Sequence, residues 1–129
     1  MYGRKILISA ILAAAAGYGV AWAAEAMPAD VHEMHGMLTG MHGMTLYTFD
    51  KDPAGAGKSM CNDGCAKNWP PLMVSASDQA SEDWSVIARE DGSKQWAYKG
   101  KPLYLWVKDH KPGDATGDGF RGVWHVARR

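Results

Sequence analysis

The residues best suited to chemistry in this sequence are methionines and histidines crowded into one short segment. Five of the eight methionines lie between Met27 and Met44, together with three of the five histidines. Thioether sulfur favours Cu(I), and imidazole suits several transition metals, so this combination is typical of a copper site. The predicted metal ligands are His32, Met34, His35, Met37, Met41 and His42.

The spacing of these residues does not by itself complete a metal site. In an extended segment, alternate side chains share a face. One face would carry His35, Met37 and Met41, and the other would carry His32, Met34, His42 and Met44. The competing interpretation is that the methionines fill gaps in the core and the histidines are exposed polar residues.

The two cysteines, Cys61 and Cys65, form a C-x3-C pair. In an oxidising compartment such a pair favours a disulfide, whose short loop would contribute about 2 kcal/mol to stability. A redox-active dithiol would need a setting that stabilises the thiolate. A copper site would combine the sulfurs with Met60 or a distant histidine. We expect the structural disulfide.

No catalytic constellation is present in the sequence. The loop at 109–119 carries three aspartates, but their spacing does not match an EF-hand, and calcium needs six to eight oxygen ligands. His125 stands alone on a predicted strand, and the other carboxylates are scattered among turns. No nucleophile elbow, zinc-protease motif or phosphate-binding loop occurs. The sequence therefore predicts a protein that is not an enzyme.

The elements that must position these residues are short strands separated by turns. Residues 46–49, 84–89, 94–98, 102–107 and 122–126 have the composition of strands. Asp91-Gly92 predicts a hairpin turn between the second and third of them. One or two helical turns are expected within 61–69, ended by Pro70-Pro71. The sequence predicts an all-β fold: a small antiparallel β domain with one short helical insert.

An internal repeat underlies this pattern. Residues 43–52 and 100–109 align at a constant offset, matching Leu46 with Leu103 and Tyr47 with Tyr104. Phe49 and Trp106 also align, and both segments end in Lys-Asp. We predict two related copies, at 43–72 and 100–126. In strands, the leucines would occupy one face and the aromatic residues the other, with core packing as their role.

Four segments, at 43–52, 61–72, 91–104 and 117–125, resemble the bacterial "secreted repeat of unknown function" family, whose members are often predicted lipoproteins. The resemblance covers nearly all of residues 24–129. It implies export and a tandem Leu-Tyr-x-aromatic repeat. It implies no established activity and supplies no catalytic residues. The first cysteine is Cys61, so the sequence lacks the lipidation cysteine found in many members.

The N-terminus has the three parts of a secretory signal: Arg4 and Lys5, an apolar run, and Ala21-Trp22-Ala23. We predict a signal peptide at 1–23 and one exported β-rich domain at 24–129. Cleavage after Ala24 or Ala26 and retention as a membrane anchor are the alternatives. Cleavage leaves 12 basic against 14 acidic residues, which gives no electrostatic reason to expect a nucleic-acid partner. We expect a periplasmic or secreted location without a stable membrane anchor.

These observations lead to one functional hypothesis and two alternatives. The first is an exported, non-enzymatic binding protein of the cell envelope that binds copper through the Met/His segment. The second is a structural or protein-interaction module whose partner is an envelope protein. The third is a thiol redox or electron-transfer protein that uses Cys61 and Cys65.

Overall fold

The structure, a computed structural model, describes residues 27–75 and 78–129. The predicted signal peptide at 1–23 lies outside the described residues. Within the part of the chain that is described, no helix has the length and apolar character needed to cross a membrane.

Short antiparallel strands form three small sheets, and one short helix lies between the third and fourth strands in the chain. The strands are β1 (His32–Met34), β2 (Met37–Thr39), β3 (Tyr47–Phe49), β4 (Trp84–Ala88), β5 (Lys94–Tyr98), β6 (Lys101–Pro102) and β7 (Trp124–Val126). The helix α1 spans Gly64–Asn68, and two 3-10 turns span Met41–Gly43 and Phe120–Gly122. The sheets have the orders β1-β2, β3-β7 and β4-β5-β6. The predicted all-β fold with one helical insert is confirmed.

Two predicted strands are shorter than expected. The segment 102–107 contributes only Pro102 to β6 and two isolated bridges at Tyr104, because its later backbone bonds go to the end of α1 and the residues after it. The N–H of Leu105 donates to the carbonyl of Pro70, and the N–H of Val107 donates to the carbonyl of Asn68. The last strand begins at Trp124, because positive φ angles at Arg121 and Gly122 form a turn before it.

The two copies of the repeat are interwoven rather than placed side by side. Each predicted copy is preceded in the chain by a hairpin, β1–β2 or β4–β5, which is counted with that copy from here on. The N–H of Leu38 in the first hairpin donates to the carbonyl of Ala127, near the end of the second copy. In the same way, the N–H of Trp96 in the second hairpin donates to the carbonyl of Leu72, near the end of the first. Each copy therefore completes the hydrogen bonding of the other.

The core is divided into two clusters on opposite sides of the Leu-Tyr segments. Leu46 and Leu103 are fully buried in one cluster, with Leu38 and Trp96. The other cluster is aromatic: Trp69 stacks between Trp106 and Trp124, with ring centroids 3.9 and 3.8 Å apart. The prediction that the leucines and the aromatic residues of the two Leu-Tyr segments lie on opposite faces is confirmed.

Candidate functional site

The Met/His segment folds into a tight hairpin followed by a 3-10 turn. His35 and Gly36 connect β1 to β2 with φ angles of 52° and 82°. Two consecutive positive φ angles in a two-residue connection define a type I′ turn, which suits the twist of a hairpin. Glycine adopts this conformation freely, and histidine is among the residues enriched there. The turn sets Met34 directly opposite Met37.

This hairpin changes which predicted ligands share a face. In a single extended strand, Met34 and Met37 would point to opposite sides. In the hairpin they are cross-strand partners, and His32 lies two residues before Met34 on the same strand. Successive side chains alternate along a strand, so His32, Met34 and Met37 lie on one face. His32 and Met34 are exposed, and Met37 is half-buried against the aromatic cluster.

The remaining predicted ligands lie in other local structures. His35 is in the turn, and Met41 and His42 are in the 3-10 turn Met41–Gly43. Met41 lines a separate, mainly apolar pocket of about 240 Å³, together with Met73 and Trp96. Across the described ranges, 27–75 and 78–129, no group of three or more His, Cys, Asp or Glu side chains is placed to hold a metal.

Cys61 and Cys65 are joined in a disulfide, with their Cα atoms 5.2 Å apart. Cys61 is fully buried, whereas Cys65 is half-buried at the edge of the aromatic cluster. The Cys61 N–H donates to the Ser59 hydroxyl, and its carbonyl accepts from the buried Arg89 guanidinium. The disulfide therefore fixes a segment that is also held by buried hydrogen bonds.

Two carboxylates, Asp52 and Asp109, are buried, which the sequence did not predict. The Tyr47 hydroxyl donates to Asp109 Oδ2 at 2.6 Å, and the Tyr104 hydroxyl donates to Asp52 Oδ2 at 2.5 Å. Each tyrosine thus bonds the aspartate of the other copy. The spacing from tyrosine to aspartate is identical in both copies, and this was the feature of the sequence that could have indicated the pairing. Aspartates in turns are usually solvated, so their burial was not expected.

Burial is the main cause of a raised pKa at both of these tyrosines, and the hydrogen bond to the neighbouring aspartate raises the pKa further. The remaining oxygens of the carboxylates are also occupied. Asp52 Oδ1 accepts from the backbone N–H of Met60, and Asp109 Oδ1 accepts from the N–H and hydroxyl of Thr116. These contacts stabilise the fold.

The aspartate loop at 109–119 is held by hydrogen bonds from backbone N–H groups to its aspartates. Asp114 accepts from the backbone N–H groups of His110 and Lys111, and Asp118 accepts from Val126. The Lys111 ammonium, 2.7 Å away, is the main cause that lowers the pKa of Asp114 to about 2. His125 lies beside Asp50, with 2.9 Å between Nε2 and Oδ2, on the exposed surface.

These features define a small β domain built from two interwoven repeats. A family sequence model described as "Secreted repeat of unknown function" matches residues 33–73 and 85–128. The chain belongs to this family, as the Leu-Tyr-x-aromatic motifs predicted. Each matched range includes most of the hairpin that precedes the Leu-Tyr segment. No curated protein and no solved structure matches the chain.

Proposed function

We propose that this exported protein is a non-enzymatic binding protein that takes up Cu(I) on the β1–β2 hairpin. The proposed ligands are the Met34 and Met37 thioethers and the His32 imidazole. The observation that carries the proposal is the cross-strand pairing of Met34 with Met37.

The geometry of a cross-strand pair suits a shared ion. Opposed side chains in an antiparallel pair have their Cβ atoms about 4.5–5.5 Å apart. Methionine has three rotatable bonds and a polarisable sulfur, so two opposed thioethers can turn toward one ion. Soft sulfur ligands select Cu(I) over harder cations, and the imidazole of His32 adds a compatible third ligand.

The surroundings of the hairpin support an accessible site. Met34 is 37% exposed, and His32 is exposed beside it. Met37 packs partly against the aromatic cluster, which fixes one side of the proposed site to the core. We place this function in the periplasm or outside the cell, and we assign His35, Met41 and His42 no direct part in the first coordination shell.

A competition titration of the mature protein against a Cu(I) chelator tests the proposal. We expect a dissociation constant in the micromolar range or tighter, weakened by Met34→Leu and by Met37→Leu. Leucine keeps the volume of methionine and removes the sulfur, so the fold should survive. Met60→Leu is the matched control, because Met60 is 53% exposed and lies outside the hairpin. Binding weaker than micromolar, or equal loss in the control, would reject the proposal.

A further inference from the structure

Strand β4 forms the outer edge of the three-stranded sheet β4-β5-β6. Its residues are Trp84, Ser85, Val86, Ile87 and Ala88. The register to β5 decides which of their backbone groups remain available, because alternate residues of an antiparallel strand direct their N–H and C=O groups to opposite sides.

The register directs the groups of Val86 and Ala88 outward. The N–H of Lys99 donates to the backbone carbonyl of Asp83, and the N–H of Arg89 donates to the backbone carbonyl of Ser93. Both bonds continue the ladder between β4 and β5. Every second residue between Asp83 and Arg89 directs its backbone groups to the same side, so Ser85 and Ile87 also bond to β5. Val86 and Ala88 face away from the sheet.

The outward groups at one end of the strand are already used, whereas those at its centre are free. Trp84 exchanges both backbone bonds with Ser81. Within the described ranges, the outward N–H and C=O groups of Val86 and Ala88 have no protein partner. The Val86 side chain is 38% exposed, and Ala88 is exposed as well.

This edge lacks the features that usually block strand addition. Natural edge strands are commonly protected by lysine, proline, a bulge or very short length. The corresponding edge in the first copy, β1, has only three residues and directs the groups of the charged Glu33 outward. Strand β4 has five residues, and none of them is charged or proline.

We propose that the β4 edge binds an extended, basic segment of a partner protein by adding it as a fourth strand. Strand addition supplies affinity through main-chain hydrogen bonds, which match the free groups of Val86 and Ala88. The strand is flanked by Glu82 and Asp83 before it and by Glu90 and Asp91 after it. Lysines flanking the partner's strand would face these carboxylates.

The basic charges nearby do not cancel this preference. Lys94 is the first residue of β5 and Lys99 follows its last residue, so both lie one strand further from the edge. The Arg89 guanidinium is buried and bonded to Gln95 and Cys61. Lys67 lines a pocket with Glu90 and Asp91, and the carboxylate of Asp63 in the same pocket balances its charge. A second copy of this chain is a poorer occupant. Antiparallel pairing of two β4 edges through Val86 and Ala88 would set Asp83 opposite Asp91, and like charges directly opposite are destabilising.

The test uses the mature protein and synthetic peptides with a Val-Thr-Val-Thr-Val centre flanked by two lysines on each side. We expect binding by calorimetry, with NMR shifts centred on the amides of Val86 and Ala88. Replacing the flanking lysines with glutamates, or N-methylating alternate residues of the peptide, should weaken binding about tenfold or more, because each removes a favourable contact.

Val86→Pro is the informative variant. Proline removes the outward N–H at an edge position and leaves the bonds of Ser85 and Ile87 to β5 intact. Val86→Thr is the matched control, because it keeps the N–H. We expect the proline variant to lose peptide binding and the threonine variant to retain it.

Three results would overturn the proposal. One is absence of binding by the lysine-flanked peptide, and another is full binding by the N-methylated peptide. Both results are obtained with the wild-type protein, so they count even if the proline variant does not fold. The third is a dimer of the mature protein that Val86→Pro abolishes, since this would make a second copy the occupant. None of these residues belongs to the proposed Cu(I) site, so the two proposals fail separately.

Discussion

Tyr47 and Tyr104 exchange both of their backbone hydrogen bonds, at 2.8 and 2.9 Å, and so lie opposite each other at the centre of the molecule. They occupy equivalent positions in the two copies of the repeat. Each side chain also reaches the aspartate of the other copy. The fold is therefore organised around an approximate two-fold relationship within one chain.

Removing one hydroxyl from this centre should destabilise the protein. In Tyr104→Phe, the buried carboxylate of Asp52 loses one of its two hydrogen bonds, a loss that costs about 1–3 kcal/mol. Urea unfolding measures the change. Tyr98→Phe is the matched control, because Tyr98 is also buried and its hydroxyl makes no hydrogen bond within the described residues. Equal stability of the two variants would contradict the assigned role of Tyr104.

The same two tyrosines predict a loss of stability in alkali. Their pKa values are raised in the folded protein by burial and by hydrogen bonds to aspartate, whereas an unfolded tyrosine ionises near pH 10. The unfolded state therefore releases protons first, and stability should fall as the pH rises above about 10. Unfolding titrations across this range should give a shallower decline for the double variant Tyr47→Phe/Tyr104→Phe than for the wild type. Identical slopes would count against this assignment.

The aromatic stack should tolerate no added atom at Gly117. A Cβ at this position would lie 2.7 Å from the Trp69 ring and 3.0 Å from the Trp106 ring. Both rings are held by stacking, so overpacking should cost about 1–3 kcal/mol in Gly117→Ala. Gly64→Ala, in helix α1, is the control, because nothing lies within 4 Å of its added Cβ. Thermal unfolding should separate the two variants, and similar midpoints would refute the steric account.

The disulfide should affect stability without affecting metal binding. The double variant Cys61→Ala/Cys65→Ala opens a short loop, which should cost about 2 kcal/mol by loss of chain restriction. Chemical unfolding measures this cost, and the Cu(I) titration should give an unchanged dissociation constant. If Cu(I) affinity disappears while the variant remains folded, the sulfurs of the cysteines belong to the site and the hairpin assignment is wrong.

Much of the fold could be predicted from the sequence, because local patterns carry it. The Leu46 and Leu103 repeats, the alternation with aromatic residues and the Asp91-Gly92 turn all correspond to features of the structure. The hairpin at His35-Gly36 was missed, since histidine is a less common turn residue than asparagine or aspartate. Its absence from the prediction led to the wrong grouping of Met34 and Met37 by face.

The interweaving of the copies could not be predicted from local patterns. The pairing of Leu38 with Ala127, and of Tyr47 with Asp109, joins residues far apart in the chain. A repeat shows that two similar units exist, but it does not show which unit completes which sheet. The burial of Asp52 and Asp109 follows from that pairing, so it could not be predicted from local patterns either.

Methionine-methyl NMR provides the most direct test of the proposed Cu(I) site. The mature protein, labelled with ¹³C at the methionine methyl groups, is titrated with Cu(I), and each signal is assigned by a Met→Leu variant. We predict that the signals of Met34 and Met37 shift together and saturate at one equivalent, while those of Met60 and Met73 do not move. Unchanged signals from Met34 and Met37, or shifts confined to Met60 and Met73, would contradict the proposal.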